Sequence, residues 1–402
     1  MKNPFWISLL IIIQLLLSYN GFLYAQETIY KDMLYATAIK YNRIGYIYQS
    51  EDQGISWQIV WDGRIHAKTL ENRVKDIVFG NGRLVAVGNT ILMSKNGGKN
   101  WTEIILRNFP YIPMFTSNHY IKSVAYGDGF FVAAAPGYVL YSKDGLDWKY
   151  VRVGEMTAAE KRKKKYGKYE GNYPPDKTDD LMFPLDIEFA EGRFYVSGGN
   201  RECAVAVYEI NDKEKLVRIK KSSLKKRYEE KAKLPSGGLT SITFDGFNTL
   251  VALSNSTKYV FSTDMGITWN FSSIPGNMPG SAVTFSNGVW WAASRGKKVY
   301  YTEDITAVWQ SVSEDFLDIE INNIAFINEQ FFIFGNNGKI FSSIDGEIWG
   351  EHLILEENIG MDIMSMENAL IEFESNASTE KQDDSVTYEP TGILGNNETT
   401  LG

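Results

Sequence analysis

Ser262-Thr263-Asp264-Met265-Gly266-Ile267-Thr268-Trp269 is the stretch whose reading decides the fold. A Ser or Thr opens it, and an Asp at a turn can accept hydrogen bonds from the backbone N–H groups that follow. Gly supplies the positive φ that a tight reversal needs, and Trp closes the stretch with a large apolar surface. Aromatic and β-branched residues flank it, so it reads as the tip of a β-hairpin. The pattern recurs. Ser50 to Trp57 is a complete copy with Asp52, Gly54 and Trp57, and Ser94 to Trp101 carries Asn96 with Gly98 and Trp101. Two copies are one residue shorter: Ser142 to Trp148, with Asp144, Gly145 and Trp148, and Ser343 to Trp349, with Asp345, Gly346 and Trp349. Thr302 to Trp309 keeps Asp304 and Trp309 but has Thr306 at the Gly position. Nine of the ten tryptophans follow residue 25, and six of those nine occupy this one position, which makes the pattern a repeat rather than a coincidence.

A second element lies between the hairpins: Ile77-Val78-Phe79, Val124-Ala125-Tyr126, Ile187-Glu188-Phe189, Ile242-Thr243-Phe244, Val283-Thr284-Phe285 and Ile324-Ala325-Phe326. A short turn rich in Gly, Asn or Asp follows each, and then another apolar strand. Each unit therefore has four strands. The aromatic residues are spaced by 47, 63, 55, 41 and 41 residues, and the shorter intervals match the ~40–45 residues of one propeller blade. The unit around Phe189 lacks the Asp/Trp hairpin and runs through Ala204 to Tyr208 into a charged segment. Leu34 to Trp61 is an opening partial unit, and Met364-Ser365-Met366, 40 residues beyond Phe326, supplies its missing inner strand. The expected fold is all-β: a seven-bladed β-propeller over residues 26–373, closed by strands from both termini. Either Leu34 to Ile39 or Leu370 to Phe373 could stand next to that inner strand.

Composition bounds the rest. A net charge of -8 disfavours nonspecific nucleic-acid binding, which needs an excess of Lys and Arg. One cysteine, Cys203, and three histidines, His66, His119 and His352, exclude Cys/His zinc frameworks and internal disulfides; no metal or cofactor is expected. Lys2, the apolar run Phe5 to Leu17 and Ala25 read as a cleavable signal peptide over residues 1–25. The expected compartment is therefore periplasmic or secreted, with no membrane span after cleavage. Residues 374–402 are polar and aperiodic and read as a flexible tail. Two basic insertions, Lys161 to Lys168 and Lys213 to Lys233, read as a solvated loop and a charged blade edge, against a docking surface for an acidic partner.

The hairpin motif resembles the Asp-box, or BNR repeat, of sialidases, the sortilin receptor propeller and assembly factors of the photosystem II type. The resemblance covers about Tyr30 to Phe373. It implies that the boxes lie on outer hairpins at one face, where Asp52, Asn96, Asp144, Asp264, Asp304 and Asp345 are structural, while ligands meet the opposite face or the channel. A sialidase of that family would announce its first substrate-gripping arginine with Arg-Ile-Pro; the sequence has Arg43-Ile44-Gly45, and sialidase rings have six blades. No catalytic residue is assigned. The reading is an exported recognition, binding or assembly propeller for a protein or glycan partner, with a glycan-active enzyme as the competing class. Candidate binding residues lie in connections opposite the boxes: Arg64, His66, Tyr111, His119 and Tyr120 in the long ones, Arg201, Glu202 and Arg295 in the short ones. Cys203 reads as a buried apolar residue beside Ala204.

Overall fold

The computed structural model describes residues 28–41, 43–68, 72–104, 120–153, 181, 183–199, 203–221, 238–276, 279–295, 297–312, 319–353 and 361–374. The chain divides into two units. One is Tyr30–Glu372, and the other is Met1–Ile29 with Phe373–Gly402, nearly all of which lies outside the described residues. The signal peptide and tail read from sequence, the basic insertion at 161–168, and residues 222–233 of the other insertion also lie outside them.

Tyr30–Glu372 is a ring of seven four-stranded antiparallel sheets. Six are consecutive meanders. The seventh, blade 1, combines β28 (Met361–Glu374) with β1 (Thr28–Lys40), β2 (Ile44–Ser50) and β3 (Gln58–Asp62), in the order β28-β1-β2-β3. This resolves the alternative left open by the sequence: Leu34 to Ile39 stand next to the inner strand, and Leu370 to Phe373 continue the inner strand itself. The inner strands of blades 2 to 7 are β4 (Val74–Gly80), β8 (Ser123–Gly127), β12 (Phe183–Ala190), β16 (Leu239–Phe244), β20 (Gly280–Ser286) and β24 (Ile321–Ile327).

Local chemistry explains the turns. The first hairpin of blade 2 closes through Asn81-Gly82, both at positive φ, and that of blade 3 through Asp128-Gly129, likewise. Two-residue loops of this kind match the right-handed twist of the strands they join. The Ser/Asp/Trp hairpins are hydrogen-bonded as their residue types predict. In blade 5 the Gly266 N–H donates to Ser262 Oγ (2.8 Å), the Thr268 N–H to Asp264 Oδ1 (2.7 Å), and Thr268 Oγ1 to Asp264 Oδ2 (2.6 Å). Blade 1 repeats this with Ser50, Asp52 and Ser56, and in blade 2 Asn96 accepts from the Asn100 N–H at 2.9 Å. In blade 6 the turn forms without glycine, since the Thr306 N–H donates to Asp304 Oδ1 at 2.8 Å and Thr306 is not at positive φ. Blade 4 lacks the motif yet keeps a fourth strand, Leu216–Lys221. There Asn211 Oδ1 accepts from the Lys213 and Lys215 N–H groups, at 3.0 and 3.1 Å, so part of the charged insertion is sheet.

The apolar core lies between blades. One cluster joins Val132 and Ala134 of blade 3 to Phe194 and Val196 of blade 4, and another joins Leu34 and Tyr48 of blade 1 to Phe332 and Phe334 of blade 7. Strands buried on both faces account for runs such as Phe130–Ala135, every residue of which is buried. Cys203 is buried in the cluster between blades 4 and 5, as read from sequence.

Candidate functional site

The inner strand of every blade is a sheet edge, so half of its amides face away from any ladder and need partners. Five inner strands carry a register shift near their start, just ahead of Asp76, Asp186, Ser241, Ala282 and Asn323. A bulge of this kind re-aims the next side chain. Asp76 accepts from its own neighbour, the Ile77 N–H (2.9 Å), and from the Val124 N–H of blade 3 (2.9 Å). Asp186 does the same with the Ile187 N–H (3.0 Å) and the Ile242 N–H of blade 5 (2.9 Å). Ser241 Oγ accepts from the Val283 N–H (3.2 Å), and Asn323 Nδ2 donates to Met364 O (3.3 Å). These bonds thus stitch together four pairs of neighbouring inner strands.

Two residues further along, the side chains are those of Val78, Ala125, Glu188, Thr243, Thr284, Ala325 and Glu367. Glu367 Oε1 accepts from the Phe79 N–H at 3.1 Å. No described residue donates to the Glu188 carboxylate. Residues of all seven inner strands enclose a cavity of about 420 Å³, into which Asp76, Asp186, Glu188 and Glu367 face, with no Lys, Arg or His among its lining residues. Water reaches these carboxyls along the cavity, but protein encloses them, and burial outweighs the hydrogen bonds they accept. Burial and the Asp76 charge push Asp186 up to about 7. Burial and the Asp186 charge push Glu188 up to about 8, and burial lifts Glu367 to about 8, with Asp76 adding to it. Asp76 is raised by burial as well.

The mouth where the inner strands begin has the opposite character. Lys122 Nζ lies 3.3 Å from the centroid of the Tyr120 ring, and the Arg73 guanidinium lies 5.5 Å from it. Burial, then the charges of Lys75 and Arg73, depress Lys122 to about 7, while burial raises Tyr120. Lys75 and Lys122 immediately precede Asp76 and Ser123, so cations stand at the rim and carboxyls inside. Antiparallel meanders put this rim at the opposite end of the blades from the Ser/Asp/Trp hairpins.

Of the residues expected from sequence, Tyr120 belongs to this rim. Arg64 and His66 lie on one helical turn, Gly63–His66, and are tied to its cap. Asp62 accepts from Arg64 Nε and Nη2 (3.1 and 2.6 Å), and the Asp62 N–H donates to His66 Nδ1 (3.0 Å). Arg295 is exposed on a turn between strands. Tyr111, His119, Arg201 and Glu202 lie outside the described residues. The sequence reading missed Arg73, Lys75, Lys122 and the channel carboxyls. A signal was present: the residue before each Ile-x-Phe-type triplet is Asp76, Ser123, Asp186, Ser241, Ala282 or Asn323, small or polar every time. Among the described residues no helix is long and apolar enough to cross a membrane, and no three His, Cys, Asp or Glu converge to hold one metal ion.

No protein-family model and no curated protein matches the chain. Among solved structures it is similar to YCF48 bound to D1 peptide, at 16% identity over 71% of this chain and 82% of that one, with a TM-score of 0.48. YCF48 from Cyanidioschyzon merolae is similar at 15% identity, covering 69% and 84%, with a TM-score of 0.49. A catalytically inactive virginiamycin B lyase from Staphylococcus aureus, with quinupristin, is similar at 14% identity, covering 71% and 85%, with a TM-score of 0.50. At these identities the likeness to the lyase is one of fold alone: the chain is a seven-bladed β-propeller.

Proposed function

We propose that this is an exported recognition propeller that binds an acidic segment of a partner protein at the rim opposite the Ser/Asp/Trp hairpins. The observation that carries the reading is the placing of Arg73 and Lys122 over the Tyr120 ring at the starts of two inner strands, with the Lys75 charge acting on Lys122. Lys122 forms no ion pair among the described residues, and its neighbours are cations. A carboxylate arriving there relieves their repulsion and restores full charge to Lys122. A rigid ring with variable connections requires no catalytic constellation to do this. The hairpin motif supports a place among Asp-box propellers, and the leader at residues 1–25 supports export.

The test is fluorescence anisotropy of the purified chain with a labelled oligo-glutamate peptide, and with oligo-lysine as control. Saturable, salt-sensitive binding of the acidic peptide is expected, weakened about tenfold in Lys122→Gln, the scale of one lost charged contact. Equal binding of both peptides, or an unaffected Lys122→Gln variant, refutes the reading.

A further inference from the structure

Asp76, Asp186 and Glu367 have structural work: their oxygens accept amides of the inner strands, three of them across a blade boundary. Glu188 has none. Its half-buried side chain lines the cavity, accepts no hydrogen bond from a described residue and feels the Asp186 charge. A carboxyl with protein around most of it, no protein donor and a second carboxyl charge beside it is disfavoured in its ionised form, and a cation bound in the channel offsets that cost.

We propose that the channel is a binding site for a linear diamine or polyamine, with its ammonium groups at the two carboxyl layers. The cavity, about 420 Å³, is within the ~300–1,000 Å³ range of small-molecule sites. Its charged lining is wholly acidic, and hydroxyl and amide groups such as Thr243, Thr284 and Asn323 complete it. The carboxyls do not converge on one point, since no three can share a metal ion among the described residues. They fall in two layers two residues apart along the strands, a rise of roughly 6–7 Å. Asp76 and Asp186 form one layer, Glu188 and Glu367 the other. That spacing suits a cation whose charges are separated by a short methylene chain. Each ammonium also offers several N–H donors to the carboxyl oxygens and hydroxyls around it.

The charged groups facing the bound cation are these four carboxyls and, at the rim one residue before Asp76 and Ser123, Lys75 and Lys122. The carboxyls must shed protons to pair with the ligand, so binding releases protons and strengthens with pH. This site is separate from the rim proposed for a protein partner and stands without it.

Isothermal titration of the full chain tests it, with 1,4-diaminobutane and spermidine as probes, and butylamine and calcium as comparisons. Saturable diamine binding is expected, about tenfold tighter near pH 9 than near pH 6, with proton release in buffers of different ionisation enthalpy. Diaminobutane should bind at least about tenfold more tightly than butylamine, because only it reaches both layers. Glu188→Gln, an isosteric change, should weaken it about tenfold; should that variant misfold, Thr243→Val provides the second test by removing a lining hydroxyl. No saturable diamine binding, equal binding of butylamine or calcium, or indifference to both substitutions overturns the proposal.

Discussion

The Tyr195 ring in blade 4 occupies the space that a side chain on Gly266 of blade 5 would need: a Cβ there would lie 3.1 Å from Tyr195 Cε1. The Tyr195 hydroxyl also donates to Met265 O at 3.2 Å. The same wedge recurs, with Gly54 against Phe332, Gly98 against Tyr35 and Gly145 against Val85. In each pair the second residue sits on the second strand of the preceding blade, so the hairpin tip is an inter-blade contact as well as a turn. Gly266→Ala combines a positive φ (+73°) with this clash, whereas Gly82→Ala has a similar φ (+68°) with open space around it. We expect Gly82→Ala to cost about 1–2 kcal/mol and Gly266→Ala about 1–3 kcal/mol more. Denaturant melts showing equal costs would remove the wedge.

Trp269 is buried against the cluster formed by Tyr195, Ala252 and Val260. Replacing it by Ala should cost about 3–5 kcal/mol, while leaving ligand affinity of the folded fraction nearly unchanged. Altered affinity with unchanged stability would show the hairpin to be a binding element.

Truncation after Gly360 removes β28, with buried Ala369 and Ser365, and leaves β1 as a naked inner edge. Ser365 Oγ also shares a 3.0 Å hydrogen bond with Thr37 Oγ1, which donates to Lys75 O (3.2 Å) and so joins blades 1 and 2. The Tm should fall by roughly 10 °C or more. An unchanged Tm contradicts closure by both termini.

Stability should peak in mildly acidic solution. The channel carboxyls are raised in the fold, so their contribution is complete below the ordinary carboxyl value and is lost as pH climbs through about 7 for Asp186 and about 8 for Glu188 and Glu367. Asp52 has the opposite sign: hydrogen bonds from Ser56 hold it at about 2, so its contribution is present above the ordinary value and is lost as pH falls through 2. Melts between about pH 2 and 9 should show both limbs. Glu188→Gln should flatten the alkaline limb and Asp52→Asn the acid one.

Six Ser/Asp/Trp hairpins and the Ile-x-Phe-type triplets between them sufficed to read strand content, the number of blades and the closing of blade 1 from the far end of the chain. Those features were legible because they depend on contacts within a few residues, such as an Asp reaching amides two to four positions on, or glycine at positive φ. The order within blade 1 was not, because Leu34 to Ile39 and Leu370 to Phe373 are equally good strands, and only pairing between opposite ends of the chain tells them apart. The channel was decided by tertiary structure for the same reason. Asp76, Asp186, Glu188 and Glu367 are spread over almost 300 positions of sequence, each an ordinary charged residue beside an apolar one. Ring closure sets them around one cavity, where protein replaces much of their water, the Asp76 charge raises Asp186 and Glu367, and the Asp186 charge raises Glu188. Burial and mutual repulsion, not any local motif, make them a site.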